Sequence, residues 1–358
     1  MKLKYLRLFN FRNYKSLDFI PGENINVLYG LNASGKTNLI ESIYMSIRAN
    51  SFRNPKDKDL INIDENASSI ISRFNTGDYK DDFRVEISKF ENKKLFINDE
   101  KVNTKDYRKS RFVVLFNPDD LNIIKYSPKE RRKFLDDLLS NIDLNYDLYM
   151  YRYRRLLFER NRLLKMNMDK NLLDVYDREM VKNGTKIIIM RLKTIKRLNE
   201  IAREHYKLIS GDDLNITYLS TVPILVDERE LMESYLKLMK DSLPKDIEKK
   251  YTTIGPHRDD LDFKINKFSS KSYGSQGEQR SIVLSLKLAE ADLIKDLYKI
   301  KPLLLLDDVF SEIDSNRSRY LLHSLKDLQT FITTTETDDF LKSVDANFYK
   351  ISEGKVMY

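Results

Sequence analysis

Gly30-Leu31-Asn32-Ala33-Ser34-Gly35-Lys36-Thr37 fixes the reading of this chain. It matches the G-x-x-x-x-G-K-[ST] phosphate-loop pattern, with an apolar run, Ile25 to Tyr29, immediately before it and an amphipathic stretch, Asn38 to Arg48, immediately after. That strand–loop–helix order is what the chemistry requires. Backbone N–H groups of a Gly-permitted turn and of a helix N-terminus face a phosphate, a lysine pairs with the outer phosphate oxygens, and a hydroxyl reaches Mg²⁺. Gly30 to Thr37 are therefore expected to bind a nucleotide, with Lys36 on the β and γ oxygens and Thr37 on the metal. A partner element stands at Leu303-Leu304-Leu305-Leu306-Asp307-Asp308. Four consecutive leucines suit a central parallel strand, and a carboxylate at its C-terminal end lies where ligands bind in open α/β sheets. Asp307 is expected to hold Mg²⁺, and Asp308 to orient or deprotonate an attacking water. Lys36 and Asp307 are 271 residues apart, so a large insertion separates them, which excludes small GTPases and simple kinases.

Working outward, the first 120 residues alternate strand and helix signals. Leu3 to Phe9 reads as a strand, and Ser69 to Phe74, Phe83 to Ile87 and Lys94 to Ile97 alternate apolar with polar residues between turn signals, the pattern of an antiparallel meander. Val113 to Phe116 is a short buried strand. From Ser127 to about Ile209 the spacing is helical, with a break near Asn167 to Asn171 that folds it into antiparallel helices. Strand character returns at Leu214 to Tyr218, Leu261 to Ile265, Leu303 to Leu306 and Phe331 to Thr334, and a helix spans Gln279 to Leu297. The expected class is α/β: an ATPase head with a mixed sheet and an antiparallel β-meander, interrupted by a helical arm. The expected division is 1–120 and 210–358 for the head and 121–209 for the arm.

Composition narrows the chemistry. The 358 residues include no cysteine, no tryptophan and only His205, His257 and His323. Disulfides, thiol catalysis and Cys/His metal sites are thereby excluded. No run approaches 18 apolar residues and the first residues are charged, so a soluble, unexported, cytoplasmic protein with no membrane contact is expected. The net charge is +8, and it is not spread evenly. Between Arg152 and Ile209 there are 16 Lys+Arg against 7 Asp+Glu, and the remainder of the chain is close to neutral. Such clustering fits either the solvated face of a helical pair or a polyanion-binding surface. Arg152, Arg154 and Arg155 are the candidate DNA contacts.

Upstream of the acidic strand stands Tyr273-Gly274-Ser275-Gln276-Gly277-Glu278-Gln279-Arg280, which looks like the signature sequence of ABC-type ATPases; Val309-Phe310-Ser311-Glu312-Ile313-Asp314 looks like their D-loop. Together with Leu8-Phe9-Asn10-Phe11-Arg12-Asn13-Tyr14, Ser127-Pro128-Lys129-Glu130-Arg131-Arg132-Lys133-Phe134-Leu135-Asp136 and Gly255-Pro256-His257-Arg258-Asp259-Asp260, these strings make the chain resemble, nearly end to end, the RecF family of bacterial recombination-mediator ATPases, relatives of the SMC and Rad50 heads. The resemblance implies that the nucleotide bound by Gly30 to Thr37 is ATP. It further implies an ATP-dependent homodimer, with Ser275 and Gly277 contacting the γ-phosphate held by a second copy. It also implies binding to double-stranded DNA or ss/ds junctions, weak DNA-stimulated ATP hydrolysis, and cooperation with RecR and RecO in loading RecA at gaps. Arg12 and Asn13 fall where related heads contact the nucleotide. Asp308 stands where ABC ATPases usually carry Glu, which fits slow turnover. Thr333 and Thr334 occupy the switch position in place of His, no Gln marks a Q-loop near Phe116, and His257 and Arg258 remain candidates for the nucleotide, a lobe interface or a structural role.

Other readings fit less well. An SMC or Rad50 protein needs heptads running for hundreds of residues, whereas the helical stretch here spans roughly eighty. A transporter's nucleotide-binding subunit has no reason to carry the basic segment, and only 44 residues follow Asp314, too few for an added nuclease domain. A scaffold that binds ATP without turnover stays open.

Overall fold

The computed structural model describes residues 1–76, 79–166, 170–310, 313–337 and 339–357. From the N-terminus, β1 (Lys2–Phe11) and β2 (Tyr14–Phe19) lead to β3 (Ile25–Tyr29) and α1 (Lys36–Arg48). Next come β4 (Ala67–Thr76), β5 (Tyr79–Ser88), β6 (Lys94–Ile97), β7 (Glu100–Val102), α2 (Thr104–Arg108) and β8 (Val113–Phe116). The middle is helical, with α3 (Asn122–Lys125), α4 (Pro128–Ile142), α5 (Leu144–Met166) and α6 (Lys170–Ser210). Then follow β9 (Leu214–Leu219), α7 (Glu228–Asp241), α8 (Leu243–Lys249), β10 (Asp260–Ile265), β11 (Phe268–Ser269) and α9 (Ser270–Tyr273). After α10 (Gln276–Tyr298) come β12 (Leu303–Leu306), α11 (Ser315–Ser324), β13 (Thr330–Thr334), α12 (Asp339–Lys342), β14 (Ala346–Ser352) and β15 (Lys355–Met357).

These elements form two compact units, Met1–Asp120 with Leu284–Tyr358, and Leu121–Val283. In the first, one sheet has the order β15-β14-β3-β13-β12-β8, parallel except for the β14–β15 hairpin. Ile25, Val27 and Leu28 of β3 and all four leucines of β12 are buried, as strands covered on both faces must be. The other sheet, β2-β1-β4-β5-β6-β7, is antiparallel and contains the expected meander. Its alternation turns Ile70, Phe74 and Val85 inward with Leu3, Leu6 and Leu8. Helix α1 joins both sheets to one core: Leu39, Ile40 and Ile43 share a cluster with those residues and with Leu303, Leu305 and Phe331.

The second unit is built on α5 and α6, which run antiparallel: Arg160 meets Asp177 near one end and Tyr146 meets Arg191 farther along. The expected break at Asn167 to Asn171 lies partly outside the described residues, with α5 ending at Met166 and α6 beginning at Lys170. The unit runs on to Val283, past the expected arm boundary at residue 209, because the sheet β11-β10-β9 packs through β9 on α6 and α7 packs on α6 as well.

Buried charge organises this unit. The Arg160 guanidinium, fully buried, donates to Asp177 at 2.5 Å, Asp246 at 2.7 Å and the Thr252 hydroxyl at 2.8 Å. Arg191 donates to the Tyr146 hydroxyl (2.9 Å), the Pro256 carbonyl (2.7 Å) and Asp136 (2.7 Å). The two sequence strings that singled the chain out are bound to one another here: Arg131 makes a bidentate pair with Asp260 (2.6 and 3.0 Å), and Arg132 donates to the Asp259 carbonyl at 2.7 Å. His257 sits between the Tyr153 hydroxyl (2.7 Å) and the Thr252 carbonyl (3.0 Å). Burial lowers its pKa to about 4 from 6.5, so the folded state holds it neutral at pH 7. A folded-state pKa below the unfolded one stabilises above pH 6.5 and loses that contribution as pH falls toward 4. The stability advantage of the wild type over His257→Gln should therefore shrink between pH 7 and pH 5, measured by urea unfolding at each pH; an advantage constant with pH would show that His257 is not held neutral.

Candidate nucleotide site

The phosphate loop is the turn between β3 and α1. Gly30 and Gly35 have φ of 151° and 116°, and a Cβ would come 2.3 Å from the Ile351 carbonyl oxygen at Gly30 and 2.6 Å from Asn13 Nδ2 at Gly35. Both conditions exclude any other residue. The loop is braced from behind by Asn13 Nδ2 and the Gly354 N–H, which both donate to the Ser34 carbonyl, and by the Tyr14 hydroxyl on the Gly35 carbonyl. Leu31, Asn32 and Ala33 form its exposed crest.

Lys36, only 4% exposed, turns its ammonium onto the Gly30 carbonyl (2.7 Å) and the Leu31 carbonyl (3.0 Å). Burial lowers its pKa, and the carboxylates of Asp308 and Asp307 oppose that shift. The Thr37 hydroxyl donates to Asp307 Oδ1 at 3.1 Å, so the two expected metal ligands are adjacent. Asp307 is buried at the end of β12, and burial raises its pKa; Asp308 adds to the rise, while hydrogen bonds from Thr333 and Thr37 work against it. The Thr333 hydroxyl donates to Asp307 at 2.7 Å and accepts from the Asp308 N–H at 2.9 Å. Asp308 itself adopts φ 53°, a left-handed conformation just past the strand end. Thr37 and Asp307 present the hard oxygen donors that Mg²⁺ takes, usually in company with phosphate oxygens and water.

The structure thus brings Gly30 to Thr37, Asn13, Asp307 and Asp308 together. Arg12, by contrast, is held by Glu41, with Nε and Nη2 on its two oxygens at 2.9 Å and Nη1 on the Asp59 carbonyl at 2.8 Å. Glu41 is fully buried on α1, where an ionised carboxylate requires partners, and the Ser51 hydroxyl and Arg53, 3.6 Å away, complete them. Arg53 also donates to Asn38, which in turn donates to Asn13. Thr333, expected only as the occupant of the switch position, proves to be bonded to both acids, and Glu41 and Arg53 are the neighbouring residues to which motif reading gave no role.

Ser275 and Gly277 belong to the second compact unit. Ser275 is exposed before α10, its N–H and hydroxyl bonded to Glu278 at 2.7 and 2.6 Å and the Glu278 N–H returning to its Oγ at 3.2 Å, a capping box. Gly277 lies in the first turn of α10. Of the D-loop string, Ser311 and Glu312 lie outside the described residues, and Asp314 caps α11. Arg152, Arg154 and Arg155 are exposed on α5, with Arg154 paired to Asp136 at 3.1 Å. His257 is bonded to Tyr153 and Thr252, and the exposed Arg258 donates to the Thr252 carbonyl at 3.2 Å. Among the described residues no helix is long and apolar enough to cross a membrane.

The fold occurs in a solved SMC structure: an Smc head bound to the C-winged helix domain of ScpA shares it, with TM-score 0.58 and 16% identity over 100% of this chain and 97% of that one. The family described as the RecF/RecN/SMC N terminal domain matches residues 2–356. Two curated relatives are called DNA replication and repair protein RecF. One, from Clostridium tetani (strain Massachusetts / E88), is 41% identical over 99% of both chains; the other, from Clostridium perfringens (strain SM101 / Type A), is 39% identical over the same shares. A solved structure of the recombination mediator protein RecF-ATP in the RecFOR pathway is 34% identical, with TM-score 0.91 over 99% of this chain and 97% of that one. The chain belongs to the RecF/RecN/SMC family and, within it, to RecF.

Proposed function

We propose that the chain is an ATP-dependent DNA-binding clamp of recombinational repair in the cytoplasm. In this reading it dimerises on ATP and binds double-stranded DNA or ss/ds junctions, and it acts with RecR and RecO in loading RecA at gaps. The observation that carries the reading is the meeting of Lys36, Thr37, Asp307, Asp308 and Thr333 at one strand end beside a loop bounded by Gly30 and Gly35. The ATP-bound solved relative supports ATP as the ligand.

In this reading the loop from Gly30 to Gly35 cradles the phosphates, and Lys36 leaves its two carbonyl partners for the β and γ oxygens. Thr37 and Asp307 hold Mg²⁺, which neutralises charge on the phosphates when bound. Asp308 positions or deprotonates the attacking water, and Thr333, bonded to both acids, fixes where its carboxylate starts. One methylene fewer than Glu gives Asp308 shorter reach, in keeping with weak, DNA-stimulated hydrolysis. Asn13 braces the loop, whereas Arg12 acts through Glu41 on α1. Ser275, exposed at the start of α10, and Gly277 in its first turn contact the γ-phosphate of a second copy, the Ser275 N–H exchanging its bond to Glu278 for a phosphate oxygen.

Light scattering with Mg²⁺-ATP tests this, using Asp308→Asn to suppress turnover. That variant should shift from monomer to dimer with ATP, more strongly with duplex DNA present. Adding Ser275→Arg should leave ATP binding intact and abolish the shift. Normal dimerisation with Arg at position 275 would sink the contact in trans.

A further inference from the structure

Between α5 and α6 lies an open cleft of about 630 Å³ that the nucleotide site does not use. Tyr151 on α5, 65% exposed, and Tyr176 on α6 line it, with the exposed Arg152 and Arg155 beside Tyr151. Asn183, 6% exposed, lines it too; its Nδ2 donates to the Glu179 carbonyl at 2.8 Å, which fixes the amide. Packing does not require the Tyr151 ring, whereas half-buried Tyr176 also packs against Leu163, Leu164 and Leu173. The buried stripe of α5 is already supplied by Tyr146, Met150 and Tyr153, and Leu148, Tyr151 and Phe158 form a second, exposed row on the same helix.

Aromatic faces interleaved with arginines are the surface on which unpaired bases stack while phosphates are neutralised. Two carboxylates share the cleft: Glu159, paired with Arg162 at 2.8 Å, and Glu179. A wall made of arginines alone would suit any polyanion, whereas carboxylate and amide acceptors suit the exocyclic amino groups of bases. The surrounding segment, with 16 Lys+Arg against 7 Asp+Glu, favours a nucleic acid over an acidic or neutral peptide. A base inside a duplex is stacked on both faces and offers none to a tyrosine.

We infer that this cleft takes an unpaired nucleotide of single-stranded DNA. Tyr151 stacks on the base, Arg152 and Arg155 contact flanking phosphates, and Asn183 and Glu179 meet the base edge. The inference rests on the proposal above that the chain binds DNA, with the candidate contacts Arg152, Arg154 and Arg155 on α5, and it names the strand held there at an ss/ds junction.

Fluorescence anisotropy of the full chain with a single strand, a blunt duplex and the same duplex carrying a single-stranded extension tests it. Tyr151→Ala, at an exposed helical position, should weaken binding of the single strand and the extended duplex about tenfold, the typical worth of one stacked base, and leave the blunt duplex unchanged. Tyr151→Phe should bind all three like wild type. With 2-aminopurine as the first unpaired base, wild type and Tyr151→Phe should change its fluorescence on binding and Tyr151→Ala should not. Wild-type affinity of Tyr151→Ala for all three probes, or equal losses on all three, would overturn the cleft assignment while leaving arm–DNA contact standing. Unchanged duplex and junction binding when Arg152, Arg154 and Arg155 are all replaced by Gln would overturn the arm–DNA reading itself.

Discussion

Lys36→Met is expected to lower ATP affinity about 100-fold or more, because it removes charge-assisted hydrogen bonds to phosphate worth about 1.5–3 kcal/mol each. The substitution keeps the length of the buried stem and takes away only the ammonium that now rests on the Gly30 and Leu31 carbonyls. The fold should therefore survive, and isothermal titration with ATP, beside a thermal melt without nucleotide, separates the two effects. Tight ATP binding by the variant would refute the phosphate-loop assignment, and with it the dimerisation proposal.

Arg160→Met should cost the second compact unit about 3–5 kcal/mol, the usual penalty for removing one partner from a buried ionic cluster. Asp177 and Asp246 would remain buried with their shared cation gone. Thr252, whose hydroxyl also accepts from Arg160, would lose a further bond. Guanidinium unfolding monitored by circular dichroism should show a destabilised transition, and adding Asp177→Asn should recover part of the loss. A transition at the wild-type midpoint would mean that the cluster relaxes around the missing charge at little expense.

The parts of the site legible in the sequence were those whose signals are local. A glycine-bounded turn ending in Lys-Thr, set between an apolar run and an amphipathic helix, carries its own context, and so does a tetraleucine strand ending in two acids. Thr333 was noted as standing where a histidine was sought, but its bonds to Asp307 and Asp308 depend on β12 and β13 being neighbours, which no spacing announces. Glu41 and Arg12 are likewise joined across 29 residues by the approach of α1 to the β1–β2 turn. Polar strings mislead in a different way. Gly255 to Asp260 reads as surface or active site because it is charged, yet Asp259 and His257 lie in the interior, where Tyr218, Thr221, Tyr153 and the Thr252 carbonyl satisfy them. Burial of a polar group is set by its partners, and these partners lie as much as 104 residues away. The extent of the second unit was obscured for the same reason, since β9 and β10 join it by packing rather than by continuing its helical period.

The strand that delivers the phosphate loop lies between two strands contributed much later in the chain: β3 pairs with β13 on one side and β14 on the other. On the ribosome, Ile25 to Tyr29 emerges early but has no neighbour until β13, Thr330–Thr334, is made, and lacks the second until β14, Ala346–Ser352, follows. Leu121–Val283, contiguous in sequence, can collapse first, as domains generally do during synthesis. Until β13 and β14 are made, the nascent chain carries an apolar strand with bare edges, the kind of segment that pairs wrongly when left exposed. The strand that mounts the phosphate loop therefore gains its two neighbours only from residues far along the chain, in Thr330–Thr334 and Ala346–Ser352.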